Sequence, residues 1–185
     1  MIFPRFGRKP RDPDTISALY GMIVAQARLP CLYRDYAVAD TVNGRFDLIV
    51  LHLALVLDRL APEPGLKRLG QRLFDRFCQD MDDNLREMGV GDLKVPKEMR
   101  RMGEAFFGRA QAYRAALAAP DQGEALVAAV ARNIYGGSSA SPAAAGRMAA
   151  YIRAAVRDLK EQDPAILAAG TVRFPDPAAI PAATG

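Results

Sequence analysis

One segment restricts the fold of this chain more than any other. Residues 45–60, RFDLIVLHLALVLDRL, are apolar on nearly every side. A helix without a polar face belongs at the centre of a bundle. Val and Ile leave a strand open as an alternative, but the length of the run and its lack of strict alternation favour a helix. The apolar members of this predicted helix are Phe46, Leu48, Ile49, Val50, Leu51, Leu53, Leu55, Val56 and Leu57.

The flanking sequence supplies amphipathic partners for such a central helix. Apolar residues recur there at steps of three and four, which is the spacing of a helix with one buried face. The composition also fits a bundle, since 50% of residues are hydrophobic, enough for a sizeable core, and 25% are charged, which is normal for a soluble surface. The predicted fold class is therefore all-α, a single compact bundle of five to six helices. The flanking helices are predicted over about 14–28, 66–88, 96–118, 121–135 and 142–162, with an ordered loop at 31–44.

The two ends of the chain differ in composition from its middle. Residues 1–13 form a flexible basic leader, the predicted domain covers 14–162, and 163–185 form an Ala- and Pro-rich flexible tail. Apolar residues interleaved in the leader also leave open a weak anchor on anionic lipid. The most apolar run, 46–57, is shorter than the roughly 20 residues of a bilayer span, so we predict no crossing. The leader's basic residues are Arg5, Arg8, Lys9 and Arg11.

The histidine, the cysteines and the Gly-Ser run of this sequence lack the neighbouring residues that catalytic, metal or phosphate sites need. His52, the single histidine of the chain, is predicted to be a hydrogen-bonded core residue of the central helix, not a ligand or base. Cys31 and Cys78 form no CxxC or Cys/His cluster, which argues against structural zinc. The Gly-Ser run at 136–141 precedes no GK[ST] and follows no strand, so it is a hinge and not a phosphate loop. We predict no enzyme, no catalytic residue and no metal or cofactor.

The run DMDDNLREMGVGD at 80–92 is the most polar part of a predicted helix. Asp80, Asp82, Asp83 and Glu87 lie opposite its apolar face, and Arg86 lies one turn after Asp82, close enough to pair. Gly89 and Gly91 then end the helix, because glycine accepts the left-handed backbone of a helix C-terminus. This pattern predicts an interaction surface held on a rigid helix.

Two other functions remain open for this helix. The carboxylates of Asp80, Asp83 and Glu87 share a side and could hold a metal, although no Glu-x-x-His pair accompanies them as in helical-bundle metal sites. A row of arginines, Arg68, Arg72 and Arg76, fits phosphate contact and hence an RNA-binding module.

The 80–92 run also resembles the ubiquinol–cytochrome c chaperone family. Further similarity covers LYGMIVAQAR at 19–28, DTVNGRFDLIVLHLALVLDRL at 40–60 and VPKEMRRMGEAFFGRAQAY at 95–113. The resemblance implies a chaperone that binds nascent or unassembled cytochrome b and promotes assembly of the bc1 complex. In relatives it also implies contact with the ribosome or a small assembly partner. Without a long N-terminal extension, the chain is expected to be a bacterial form in the cytoplasm, with peripheral contact with the inner membrane possible and no DNA partner.

From this resemblance we hypothesise an apolar groove with a rim of both charges. Methionine side chains adapt to irregular apolar partners, although charged rim residues could equally pair inside the fold, since charges are rarely buried unless paired. An RNA- or ribosome-binding translation factor for the same complex is the alternative function. The groove candidates are Tyr33, Met88, Met99 and Met102. The rim candidates are Arg45, Asp80, Asp82, Arg86, Glu87, Asp92 and Arg109.

Overall fold

The computed structural model describes residues 13–137 and 141–181. Within these ranges the chain forms α-helices and one 3₁₀ turn and no strand, which confirms the all-α prediction. The helices are α1 Pro13–Ala27, α2 Pro30–Arg34, α3 Val42–Leu60, α4 Lys67–Glu87, α5 Val95–Ala118, α6 Gln122–Ile134, α7 Pro142–Glu161 and α8 Pro164–Ala168, and the 3₁₀ turn is Pro177–Ala179.

Helix α3 lies at the centre of the bundle. It contacts α1, α4, α5, α6 and α7, and every residue from Asp47 to Val56 is buried. A helix that is apolar on every side has no polar face to expose to solvent, so packing other helices around all of it buries the most apolar surface. The prediction of a central helix is confirmed, and the alternative of a strand is wrong.

The first helices differ from the prediction in two details. Helix α1 begins at Pro13, one residue before the predicted start at 14. The predicted loop at 31–44 contains α2, which begins with Pro30 at a position where a missing N–H costs nothing, and buries Leu32. A five-residue helix is too short to show the periodicity from which helices are predicted.

The start of α3 lies earlier than its apolar run. Thr41 caps the helix, its Oγ1 accepting a hydrogen bond from the Gly44 N–H over 3.1 Å. Asn43 and Gly44, at the end of the predicted loop, therefore belong to the first turn of α3. Gly44 is required at this position, because a Cβ there would lie 2.0 Å from the Ala39 carbonyl oxygen.

Residues 163–181 pack on the bundle and do not form the frayed end that their composition predicts. Leu167 is fully buried and Val172 is 5% exposed. The Tyr36 hydroxyl donates to the Pro177 carbonyl over 2.7 Å. Gln162 is hydrogen-bonded to both the N–H and the carbonyl of Arg173. A few apolar side chains and these bonds offset the entropy of ordering the segment. Residues 1–12, which carry the predicted leader, lie outside the described residues, as do 138–140 of the predicted hinge.

His52 is a hydrogen-bonded core residue, as predicted. It is fully buried, with Nδ1 2.7 Å from the Leu48 carbonyl oxygen and Nε2 2.8 Å from the Tyr151 hydroxyl. A carbonyl only accepts, so Nδ1 carries the proton and Nε2 accepts from Tyr151. Gln26 completes the chain by donating to the Tyr151 oxygen over 2.9 Å. Burial lowers the pKa of His52 to about 4, and the network joins α1, α3 and α7.

One segment of the described residues is long and apolar enough to span a membrane by length and composition alone. It is Thr15–Arg34, with a mean hydropathy of 1.2, and not the 46–57 run on which the sequence prediction rested. In the structure α1 ends at Ala27 and α2 begins at Pro30. The apolar stripe of α1, which includes Leu19 and Ile23, is buried. Core helices of folded domains commonly meet the same test.

Candidate functional site

The glycine turn after α4 is a Schellman motif. The Gly89 N–H donates to the Arg86 carbonyl, and the Val90 N–H donates to the Leu85 carbonyl over 3.0 Å. Gly89 has φ of +79°, which only glycine adopts without strain. These bonds satisfy carbonyls that the end of a helix leaves unpaired. The turn therefore fixes where the last turn of α4 ends and where Met88 lies.

Arg86 ties this turn to the helix. Its guanidinium donates to Asp82 over 2.6 Å, one turn earlier on α4, and to Asp92 beyond the glycines. All three side chains keep substantial exposure, with 86% of the Asp92 side chain accessible. Glu87 is also exposed. The structure thus brings four of the predicted rim residues together at one end of α4.

Asp80 has partners inside the fold. The Tyr20 hydroxyl of α1 donates to its carboxylate over 2.8 Å, and Arg76 lies 3.9 Å away. Arg76 also lies 5.4 Å above the ring of Tyr20. Within the described ranges no group of three His, Cys, Asp or Glu side chains is placed to hold a metal ion. Asp80 therefore links α1 to α4 whatever else it does.

A groove of about 590 Å³ opens beside the end of α4. We name it the methionine groove. Its walls come from the start of α3, the end of α4, the first half of α5 and the end of α6. Two of its apolar side chains are unusually exposed for their size, Val42 at 66% and Met88 at 56%. The groove is lined by Ala39, Thr41, Val42, Asn43, Gly44, Phe46, Asp47, Leu85, Met88, Glu98, Arg101, Met102, Ala105, Arg109, Ile134 and Gly136.

The charged side chains of the methionine groove are paired with one another. Arg109 Nη2 lies 2.8 Å from Asp47 Oδ1, and Arg101 Nη1 lies 3.1 Å from Glu98 Oε1. The first pair forms the floor, and burial raises the pKa of Asp47 to about 6, although Arg109 opposes the shift. Because each positive charge is matched by a negative one, the groove is neutral while the chain carries +4.

The remaining sequence candidates lie apart from this groove. Tyr33 lines a separate basic pocket with Arg45, and this pocket shares no lining residue with the methionine groove. Tyr33 donates to the Ala27 carbonyl over 2.9 Å, and burial raises its pKa. Arg45 bonds Asp40 over 2.7 Å. Met99 is partly buried against the core. Of the four groove candidates, Met88 and Met102 are brought together, and Tyr33 and Met99 are not.

Sequence reasoning missed two parts of this surface. It assigned Phe46 to the buried helix and gave Val42 no role, yet both line the methionine groove. It also missed a larger apolar groove, of about 770 Å³ between α3, α4 and α5. We name this the aromatic groove; its side chains include Phe74, Phe106 and Phe107, with Phe107 61% exposed. The paired phenylalanines at 106 and 107 were an available signal, since adjacent positions on a helix with one buried face point in different directions.

The family model described as "Ubiquinol-cytochrome C chaperone" matches residues 34–174. The crystal structure of the Cbp3 homolog from Brucella abortus is similar over 91% of this chain and 92% of that chain, with 38% sequence identity and a TM-score of 0.82. Among curated proteins none matches. The family match covers most of the bundle, including both grooves.

Proposed function

Because the chain belongs to the ubiquinol–cytochrome c chaperone family, we propose that it is a non-catalytic assembly chaperone that binds newly made cytochrome b and promotes biogenesis of the bc1 complex. Cytochrome b is a membrane protein whose apolar helices need protection from water until they are inserted and assembled. A chaperone for such a chain has to offer apolar surface that tolerates more than one side-chain shape.

The methionine groove is the observation that carries this proposal. Exposed apolar side chains on a folded domain mark interaction sites, and methionine adapts its shape to different partners. The internal pairing of Asp47 with Arg109 and of Glu98 with Arg101 leaves no net charge for an apolar guest to cover. An unpaired charge in that position would lose its hydration on binding, at a cost of several kcal/mol.

The charged end of α4 is proposed as the rim of this groove. Asp82, Arg86, Glu87 and Asp92 lie next to Met88. They are suited to contact the charged loops that connect apolar helices, where complementary charge sets orientation and association rate. Tyr33 and Arg45 would form a second contact at the separate pocket that they line.

Crosslinking during translation tests the location of the guest. A photoreactive amino acid is placed at Met88, at Phe107 of the aromatic groove, or at Ile166 of α8, which is 40% exposed and distant in sequence. We expect cytochrome b to be captured from position 88 and not from 166. Capture from 107 alone would assign the guest to the aromatic groove, and capture from none would contradict the proposed function.

Charge insertion tests whether the groove is needed. Val42→Asp and Met88→Asp change exposed side chains, so each variant should fold. Each should reduce capture of cytochrome b at least tenfold, because the new carboxylate loses hydration when a guest binds. Leu93→Asp is the matched control, since Leu93 is an apolar side chain near the same turn, is 98% exposed and does not line the groove. Equal loss in all three variants would refute a specific role for the groove.

We propose that the protein works in the bacterial cytoplasm beside the inner membrane, where newly made cytochrome b is inserted. The alternative, an RNA- or ribosome-binding translation factor, requires phosphate contact and therefore binding that weakens steeply with salt. Sedimentation of the protein with ribosomes at low and high salt separates the two, since an apolar groove predicts guest binding that salt does not abolish.

A further inference from the structure

The floor of the methionine groove contains buried polar atoms whose hydrogen-bonding capacity is unused. Asp47 on α3 is 7% exposed, and Arg109 on α5 lies against it as an ion pair. Tyr113, one turn further along α5, is 1% exposed and is close enough for both charges to influence its hydroxyl. Among the described residues, Arg109 Nε and Tyr113 OH have no hydrogen-bond partner, while Asp47 Oδ1 has Arg109 Nη2 at 2.8 Å.

Such a cluster is costly in the empty protein. A buried donor or acceptor without a partner has lost its bonds to water and gained none in return, so it destabilises the fold. Beyond Asp47, Arg109 makes a long contact of 3.4 Å from Nη1 to the Ala105 carbonyl and lies 5.9 Å from the centre of the Phe46 ring, and neither contact gives Nε a hydrogen-bond acceptor. The free donors on Arg109 and Tyr113 are complementary to a polar group that accepts, and the Asp47 carboxylate, which has lone pairs beyond its bond to Arg109, can accept a hydrogen bond from a group that donates.

Two members of the cluster lie at the groove surface. Asp47 and Arg109 both line the groove, and a quarter of the Arg109 side chain is exposed. Tyr113 does not line the groove, so Arg109 is the most exposed donor of the cluster. The walls around this point are apolar, with Phe46, Leu85 and Met102 among them.

The paired charges of the floor determine which kind of guest side chain it can bind. Asp47 and Arg109 neutralise each other, so a charged guest side chain would find an opposite charge already paired and a like charge equally close. A neutral amide or hydroxyl needs no counter-charge and can satisfy both partners. Deep burial of a charged group without its own partner is strongly unfavourable.

We propose that the floor pair Asp47 and Arg109, with Tyr113 buried behind it, recognises a neutral hydrogen-bonding side chain, an Asn, Gln, Ser or Thr, within an otherwise apolar guest segment. This inference rests on the proposed function, because it presumes that the methionine groove receives the guest. It makes the groove selective: it distinguishes an apolar segment with one polar residue from a uniformly apolar one.

Binding of synthetic peptides tests the inference. Three Lys-flanked peptides with a core of about fifteen Leu and Ala residues, roughly 22 Å long as a helix, differ only at the central position, which is Asn, Leu or Asp. The full chain should bind the Asn peptide about tenfold more tightly than the Leu peptide, the lower end for a hydrogen bond to a charged group. It should bind the Asp peptide more weakly than the Leu peptide.

The double variant Asp47→Leu/Arg109→Met removes both charges together, which a fold tolerates better than losing one. It should still bind the Leu peptide and lose the preference for Asn. The matched control is Asp58→Leu/Arg114→Met, because that ion pair also joins α3 to α5 but lies in the aromatic groove. Its Asn preference should be unchanged. If the first double variant does not fold, Tyr113→Phe, which removes one hydroxyl, should lower the preference a few-fold.

The outcomes separate the two proposals. Equal affinity of the unmodified protein for the Asn and Leu peptides would refute recognition by the floor while leaving apolar binding intact. Failure to bind any of the peptides would refute apolar binding in the groove, and recognition by its floor with it. Retention of the preference in the Asp47→Leu/Arg109→Met variant would also overturn the inference.

Discussion

Replacing Asp80 should weaken the fold more than it weakens partner binding. Asp80 lies in the run from which the interaction surface was predicted, yet its carboxylate accepts the Tyr20 hydroxyl over 2.8 Å. Tyr20 is 4% exposed, and 28% of the Asp80 side chain is accessible. Burial, reinforced by the bond to Asp80, raises the pKa of Tyr20 and keeps its hydroxyl a donor. Asp80→Ala leaves that nearly buried donor without its partner.

The size of the effect follows from the contacts that are lost. A hydrogen bond to a charged group contributes about 1.5–3 kcal/mol, and partial exposure of Asp80 puts this one at the lower end, about 1.5 kcal/mol. The ion pair with Arg76, at 3.9 Å and one helical turn away, adds about 0.3–0.5 kcal/mol. We therefore expect Asp80→Ala to cost about 2 kcal/mol. In a protein of this size that lowers the melting temperature by roughly 4–8 °C.

The assay is a double-mutant cycle followed by urea unfolding and circular dichroism. Tyr20→Phe, Asp80→Ala and the double variant should give a coupling free energy of about 1.5 kcal/mol. Asp83→Ala is the control, because Asp83 is exposed on the same helix and should change stability by less than about 0.5 kcal/mol. A coupling near zero, together with loss of cytochrome b capture in a fully stable Asp80→Ala protein, would refute the assignment of Asp80 to the fold.

Three further predictions concern stability. The pKa of His52 is lowered from 6.5 to about 4, so on acidification the unfolded chain binds a proton before the folded protein does, and stability falls. The raised pKa of Asp47 acts in the opposite direction, because there the folded protein binds the proton first. Asp47→Asn removes that compensation, so between pH 6.5 and 4.5 it should lose about 2 kcal/mol more stability than the unmodified protein, as measured by urea titrations. Gly89→Ala should cost about 1 kcal/mol because of its positive φ, while Gly91→Ala, which lacks one, should be nearly neutral by thermal melting. Leu167→Ala should cost about 2–5 kcal/mol in urea unfolding if α8 belongs to the core, and little if residues 163–181 fray.

The fold was largely predictable because it depends on local pattern. The six long helices follow from apolar residues at steps of three and four, and the central position of α3 follows from its lack of a polar face. The elements that were missed are short or unusual in composition. Neither α2 nor α8 is long enough to show a period, and the segment after Gln162 is held by a few contacts, such as the bond from Tyr36 to the Pro177 carbonyl, that join residues distant in sequence.

The candidate site was predictable only in part. The run at 80–92 indicated an exposed charged helix end, and Met88 and Met102 do line one groove. The sequence did not indicate that Asp80 bonds Tyr20, or that Arg109 pairs with Asp47. Tyr33 and Arg45 lie at a different pocket. Side chains on different helices meet according to packing, which one-dimensional spacing does not encode.

By itself the sequence determined that this chain forms a helical bundle around residues 45–60, that its one histidine is a core residue, and that a glycine turn ends the acidic helix, because these depend on periodicity and on backbone preferences of single residues. Only the tertiary structure decided which charges serve the fold and which surface is open. Asp47 and Arg109 become the floor of a groove because α3 and α5 pack against each other, and a pairing between helices is fixed by how their surfaces fit together.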